Sequence, residues 1–166
     1  LEARVRFPKM GPGLWPALWL LGDRFSSICW PACGEIIMME MGVGGAVQEG
    51  MIKRRIMSAA HWEYSHKHKT QGSTLDYASD LDGSFHSYRM EWTPFEISTF
   101  VDDAPVWSMD ISNIDQFHEP FFLLLNLAIG GEHTGILNAD GISEVFPAEY
   151  RIDYIRLFDN GYTELG

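Results

Sequence analysis

One short segment constrains this chain more than any other: Gly34-Glu35-Ile36-Ile37-Met38-Met39-Glu40-Met41. The apolar run, bounded by Gly34 and by Gly42-Val43-Gly44-Gly45, reads as a strand, yet it holds two acids. A buried carboxylate without a partner is costly, so each acid needs a reason to be there. In a regular strand the side-chain period is two, which sends Glu35 and Glu40 to opposite faces. A single β-bulge between them consumes one extra residue and returns Glu40 to the face of Glu35. The spacing therefore predicts a bulge near Met38 or Met39.

The other readable elements are also strands. Residues 2–7 alternate polar and apolar, and residues 14–21 form an apolar run interrupted by Pro16. Residues 51–62 read as a strand whose first turn could equally be helical. Period two in residues 85–92 puts His86, Tyr88, Met90 and Trp92 on one face. Thr93-Pro94 then turns into a return strand over 96–101, and Asp102-Asp103-Ala104-Pro105 turns into 106–109. Residues 121–129 are almost wholly apolar, as expected of a strand covered on both faces, and Gly130-Gly131 ends them. Residues 150–158 give the last strand. Residues 65–82, with His66-Lys67-His68-Lys69, are expected to form a mobile loop. Strands at short intervals with no long helical period predict an all-β, antiparallel β-sandwich forming one domain over residues 1–166.

Charge narrows the partners. Lys plus Arg number 12 against 23 Asp plus Glu, a formal charge of −11, which argues against nucleic acid and anionic lipid. No apolar run approaches the ~20 residues needed to span a membrane. A neutral polysaccharide fits, and six Trp supply rings that either pack in the core or stack on sugars. Cys29 and Cys33 are too few for a disulfide framework and lack zinc-site spacing; a local disulfide and two free thiols both remain open. The chain opens on a strand-like pattern without an initiator Met, and that start reads as a cut through a domain.

Paired acids have a use in glycoside hydrolysis. Retaining enzymes need two carboxyl groups ~5–5.5 Å apart, one as nucleophile and one as acid/base. Leu14-Trp15-Pro16-Ala17-Leu18-Trp19-Leu20-Leu21-Gly22 and Trp30-Pro31-Ala32-Cys33-Gly34-Glu35 resemble family 16 glycoside hydrolases of the laminarinase type, whose active-site strand reads Glu-x-Asp-x-x-Glu. The resemblance continues through His61-Trp62, residues 88–94, 125–131 and 153–156 in the expected order, and so spans nearly the whole chain.

The resemblance implies a jelly-roll-like sandwich with Glu35 as nucleophile and Glu40 as acid/base. It makes Trp15, Trp19 and Trp30 candidates for a glucan cleft, with His61 and Asn126 as polar contacts. Core burial of the Trp residues, a structural role for His61 and structural hydrogen bonding by Asn126 stand as the alternatives. It further implies a secreted, monomeric endo-β-1,3-glucanase that requires no organic cofactor. The alternatives are a non-catalytic β-glucan-recognition domain or a same-fold hydrolase of another polysaccharide, such as agarose or carrageenan.

Two departures stand out. Ile37 occupies the position where the family pattern has Asp, which would orient the nucleophile and help keep the acid/base protonated. An apolar residue there is expected to raise both carboxyl pKa values by desolvation, favouring a protonated Glu40 and handicapping Glu35, with weakened activity as the outcome. The chain also lacks the family's first strands, which leaves an exposed edge expected. In many members of that family those strands help hold a structural calcium, with the Asp that here would be Asp153, so the resemblance implies a possible calcium in the full-length domain.

Overall fold

The extended segments pair into two antiparallel sheets packed face to face, with burial alternating most clearly over residues 2–6. The computed structural model describes residues 1–143 and 146–162. The strands are β1 (Glu2–Arg6), β2 (Leu14–Gly22), β3 (Glu35–Glu40), β4 (Arg55–Tyr64), β5 (Lys67–Asp76), β6 (Phe85–Trp92), β7 (Glu96–Val101), β8 (Ala104–Asp110), β9 (Phe121–Ile129) and β10 (Arg151–Arg156). Two short helices, α1 (Phe25–Ile28) and α2 (Gly44–Gln48), flank β3 in the chain. One sheet has the order β10-β1-β6-β7-β8 and the other β5-β4-β3-β2-β9. This is the expected all-β sandwich. Ala3, Val5, Tyr88, Met90, Ile97 and Trp107 from the first sheet meet Leu14, Leu18, Ile36, Met38 and Ile56 from the second in a single core.

The bulge lies where the acid spacing requires it. Against β2, Glu40 pairs with Ala17, Met39 with Leu18, and Ile37 with Trp19, so Met38 is the residue passed over. The β3–β4 ladder slips at the same place, between Ile37 and Glu40. Consecutive residues Met38 and Met39 consequently both enter the core, while Glu35, Ile37 and Glu40 share the opposite face. A bulge interrupts the ladder and leaves carbonyls to be satisfied. Fully buried Ser58 on β4 does this: its Oγ lies 2.7 Å from the Met38 carbonyl and 3.0 Å from the Ile37 carbonyl. With its one proton directed there, Ser58 accepts from Thr99 Oγ1 of the other sheet, 2.8 Å away.

Three expectations need correction. Residues 51–54 form a turn, with Arg54 and Arg55 N–H both donating to the Met51 carbonyl, and β4 starts only at Arg55. The segment over 65–82 is largely strand: β5 pairs with β4 from Tyr64–Lys67 to Arg55–Asp76. Ser65 and His66 both adopt positive φ, 51° and 57°, as a tight hairpin turn of primed type demands. Neither is the Asn-Gly or Asp-Gly that announces such a turn, which is why the pattern reads as loop. Strand β9 is not covered on both faces. It is the outermost strand of its sheet among the described residues, half-buried along most of its length, with Phe122 and Ile129 exposed. At the edge of the other sheet, β10 likewise exposes Ile152 and Ile155.

If Ser58 pins the bulge, Ser58→Ala leaves two buried carbonyls and the Thr99 hydroxyl without it. Stability should fall by ~1–3 kcal/mol in urea unfolding. A loss below ~0.5 kcal/mol would show that the bulge holds without the serine.

Candidate active site

The outer face of the β5-β4-β3-β2-β9 sheet is built by ladder register. Glu35 stands opposite His61, and Ile37 stands between Trp19 and Ala59. Glu40 stands between Ala17 and Met57, and Ala17 is in turn paired with Asn126 on β9. Directly opposed residues on one face have Cβ atoms within ~5.5 Å, so this row is one continuous surface. Gly72 on β5 keeps it low, since a Cβ there would fall 2.6 Å from the Ala59 Cβ. Met57, Ala59, His61, Thr70, Gly72 and Thr74 line a recess of ≈ 240 Å³ beside the acids.

Each acid meets an indole. Trp15 Nε1 donates to Glu40 Oε1 at 2.6 Å. Burial pushes the Glu40 carboxyl up to about 7; the Trp15 bond opposes the rise, and the charge of Glu35 adds to it. Burial also raises Glu35, against a hydrogen bond from the Trp30 side chain, but the larger rise is at Glu40. Apolar Ile37 between them, 6% exposed, offers neither acid a hydrogen bond. The outcome is a pair of carboxyls on one face whose environments push them apart, the pattern that separates an acid from a base or nucleophile.

The other candidates divide by role. Trp19 Nε1 donates to Asn126 Oδ1 at 2.7 Å, so both are structurally paired while the Asn126 amide N–H groups remain free for other partners. Trp30 is 44% exposed, with its ring 4.7 Å from that of His68 and 6.0 Å from that of His61. It is therefore not a core residue. His61 Nε2 lies 3.9 Å from Glu35 Oε1, and its Nδ1 lies 3.0 Å from His68 Nε2. Burial, reinforced by His68, lowers the His61 pKa. Cys29 is exposed and Cys33 buried, both as free thiols.

Two residues at the site escape sequence reasoning. His68 becomes legible only once the hairpin is known, because it sits on what reads as a loop. His133 lies in the turn after β9, its ring stacked on Trp15 and its Nδ1 3.5 Å from Glu40 Oε2. Its sequence signal is weak: a single His beyond Gly130-Gly131.

The proposed calcium contributor behaves differently. Asp153 on β10 accepts a hydrogen bond from Arg4 Nη1 at 2.7 Å, which already balances its charge. Among the described residues no group of three or more His, Cys, Asp or Glu is placed to hold a metal ion.

Comparison with known proteins agrees with the geometry. Residues 1–155 match the profile of Glycosyl hydrolases family 16. A beta-glucanase of Rhodothermus marinus is 34% identical over 95% of this chain and 56% of its own length. A family 16 structure from a Bacteroides ovatus mixed-linkage-glucan locus, in complex with product, superposes with a TM-score of 0.81 at 33% identity, covering 91% of this chain and 63% of that one. The laminarinase catalytic domain of Thermotoga maritima gives a TM-score of 0.72 at 31% identity, covering 92% of this chain and 60% of that one. The chain thus spans little more than half of the first relative and under two thirds of either structure. With a family match over nearly its full length and a superposable sandwich, this chain belongs to glycosyl hydrolase family 16.

Proposed function

We propose that this chain carries the catalytic face of a secreted, endo-acting β-1,3-glucan hydrolase that retains anomeric configuration. The observation that carries the reading is the bulge at Met38, which brings Glu35 and Glu40 to one face with unequal proton affinities. Glu35, less strongly perturbed, attacks the anomeric carbon as carboxylate. Glu40, held protonated near neutrality, gives its proton to the departing glycosidic oxygen. A glycosyl ester on Glu35 results. Water then attacks that ester, with Glu40 taking back a proton. Trp30 at the rim offers a face for sugar stacking, and the recess along β4 and β5 offers room for a pyranose ring. The cycle needs no organic cofactor.

A second reading is a non-catalytic β-glucan-recognition domain that keeps the cleft and has lost the chemistry. Ile37 favours it, because nothing at that position orients Glu35. One experiment separates the two: measure new reducing ends and binding with laminarin and with mixed-linkage β-glucan. Hydrolysis supports the first reading, and binding without hydrolysis supports the second.

Three outcomes test the roles. Glu35→Gln keeps shape but cannot form the ester, so turnover should drop on the order of 1000-fold or more while glucan binding persists. Undiminished turnover would remove Glu35 from the nucleophile role.

The pH profile has a defined sign. Activity needs Glu40 protonated and Glu35 ionised. It should therefore fall roughly tenfold per pH unit above about 7, where Glu40 loses its proton, and fall on the acid side as Glu35, itself raised by burial, gains one. A rate that climbs through pH 8 would contradict Glu40 as the acid.

The departure at position 37 makes the third test. Ile37→Asp supplies a hydrogen bond to Glu35 and a like charge that holds Glu40 protonated, worth ~10- to 1000-fold in rate. The new buried acid should cost ~1–3 kcal/mol of stability. Initial rates at equal folded concentration decide it; no gain in a folded variant would show that activity is not limited at this position.

A further inference from the structure

His133 does more than fill space beside Trp15. Its turn is closed by Gly131 N–H donating to the Ile136 carbonyl at 2.8 Å and by the Thr134 hydroxyl donating to the Gly131 carbonyl at 2.9 Å. Gly44 N–H, at the start of α2, clamps the His133 carbonyl at 3.0 Å. Gly131 turns the chain at φ +100°, a conformation L side chains rarely adopt, with its backbone beside the Trp15 ring. The imidazole is thereby stacked on Trp15 with centroids 4.7 Å apart and planes at 15°. A ring so fixed has little freedom to point its Nδ1 anywhere but at Glu40.

The donor inventory then assigns the proton. Indole N–H is a donor only, and Trp15 occupies Glu40 Oε1. The acidic proton of Glu40 therefore belongs on Oε2, where His133 Nδ1 stands 3.5 Å away. That separation exceeds a good hydrogen bond by ~0.6 Å, within reach of a small side-chain rotation, and catalytic contacts are often loose without substrate. Burial holds the imidazolium pKa down at about 4, against the Met41 backbone beside it, so the ring is neutral wherever Glu40 titrates. Nε2 is buried without a partner. With Nδ1 as acceptor the neutral ring carries its proton on Nε2, and the ring's other polar neighbour is the Met41 backbone, whose hydrogen bond opposes the fall in its pKa. The charged group acting on Glu40 is Glu35, on the same strand. Trp15 and Ala17 from β2 and Asn126 from β9 are uncharged.

We propose that His133 is a positioning residue for Glu40: its Nδ1 accepts the carboxylic proton and holds it on Oε2, supplying from a separate turn the proton control that a carboxylate at position 37 would supply. The proposal rests on the reading of Glu40 as the acid/base. When Glu40 delivers its proton to the leaving oxygen, the bond to Nδ1 is given up, and it re-forms when water returns the proton.

Carboxyl ¹³C NMR of the Glu-labelled chain, with Glu40→Gln to assign the signal, tests this without relying on turnover. The native Glu40 midpoint should lie near 7. His133→Phe keeps the stack and removes the acceptor, so the midpoint should fall by about one pH unit, a ~10-fold loss in proton affinity. His133→Asn, whose Oδ1 falls near the Nδ1 position, should restore most of it. An unmoved midpoint in the Phe variant overturns the proposal. A midpoint that rises also overturns it, because it would mean that Nδ1 donates to the carboxylate. Should the Phe variant not fold by circular dichroism, His133→Leu carries the same test. If the chain hydrolyses no glucan, the catalytic reading fails while the titration still decides the role of His133. If it does hydrolyse glucan, the basic limb of kcat/KM should move with the midpoint.

Discussion

The site depends on one backbone irregularity and on the hydroxyl that satisfies it. Were the same residues laid out as a regular strand, without the bulge at Met38, Glu40 would point into the core and a methionine would take its place in the cleft. The bulge survives inside a packed sandwich because Ser58 reaches both carbonyls and is itself tied to Thr99 across the sheets. A buried network of this kind is stable only when every member is satisfied, and here the hydroxyl protons suffice for all of them. Positioning of the acids is thus a property of three strands from two sheets.

The fold was legible because period-two alternation survives in β1 and β6, where one face meets the core. The bulge was legible for a different reason: two acids five residues apart make sense on one face only if the period is broken once. What failed was information that is not periodic. The β4–β5 hairpin turns through Ser65 and His66 in a conformation those residues do not advertise. Edge placement of β9 cannot be read from its own apolar sequence, because covered and edge strands share that composition when one neighbour is missing. Asn126 shows the same limit at the site. Its amide binds Trp19, which satisfies the structural expectation, and it also lies in the row with Glu40, which leaves the functional one open.

The cleft gives each acid one indole donor, so the difference between them does not come from their hydrogen bonds alone. Depth supplies it. The Glu40 side chain is 8% exposed, between two neighbouring strands, with the Trp15–His133 stack beside it, whereas that of Glu35 is 16% exposed, at the strand end facing Trp30. Desolvation is the largest contribution for both, and it acts more strongly on the deeper group. A site without a carboxylate at position 37 can therefore still hold one proton on the intended residue.

That solution has a consequence for how the cleft works. Hydrocarbon around both acids favours their neutral forms, so the same setting that holds a proton on Glu40 opposes the negative charge that Glu35 needs. The two demands are reconciled only if Glu35 retains partial access to solvent and to donors, and Trp30 and the opposing His61 provide such surroundings at the rim. Closing the cleft over a sugar would remove water from Glu35 and raise its carboxyl further, unless the ligand's own hydroxyl groups donate to it. On the proposed function, a bound glucan would be part of the electrostatic machinery, its hydroxyls replacing water at Glu35 and its bulk sealing Glu40 against solvent. On that reading, selectivity would come from which ligand hydroxyl reaches Glu35 when a ring lies on Trp30, since burial already raises the Glu35 carboxyl and a donor is what favours its ionised form.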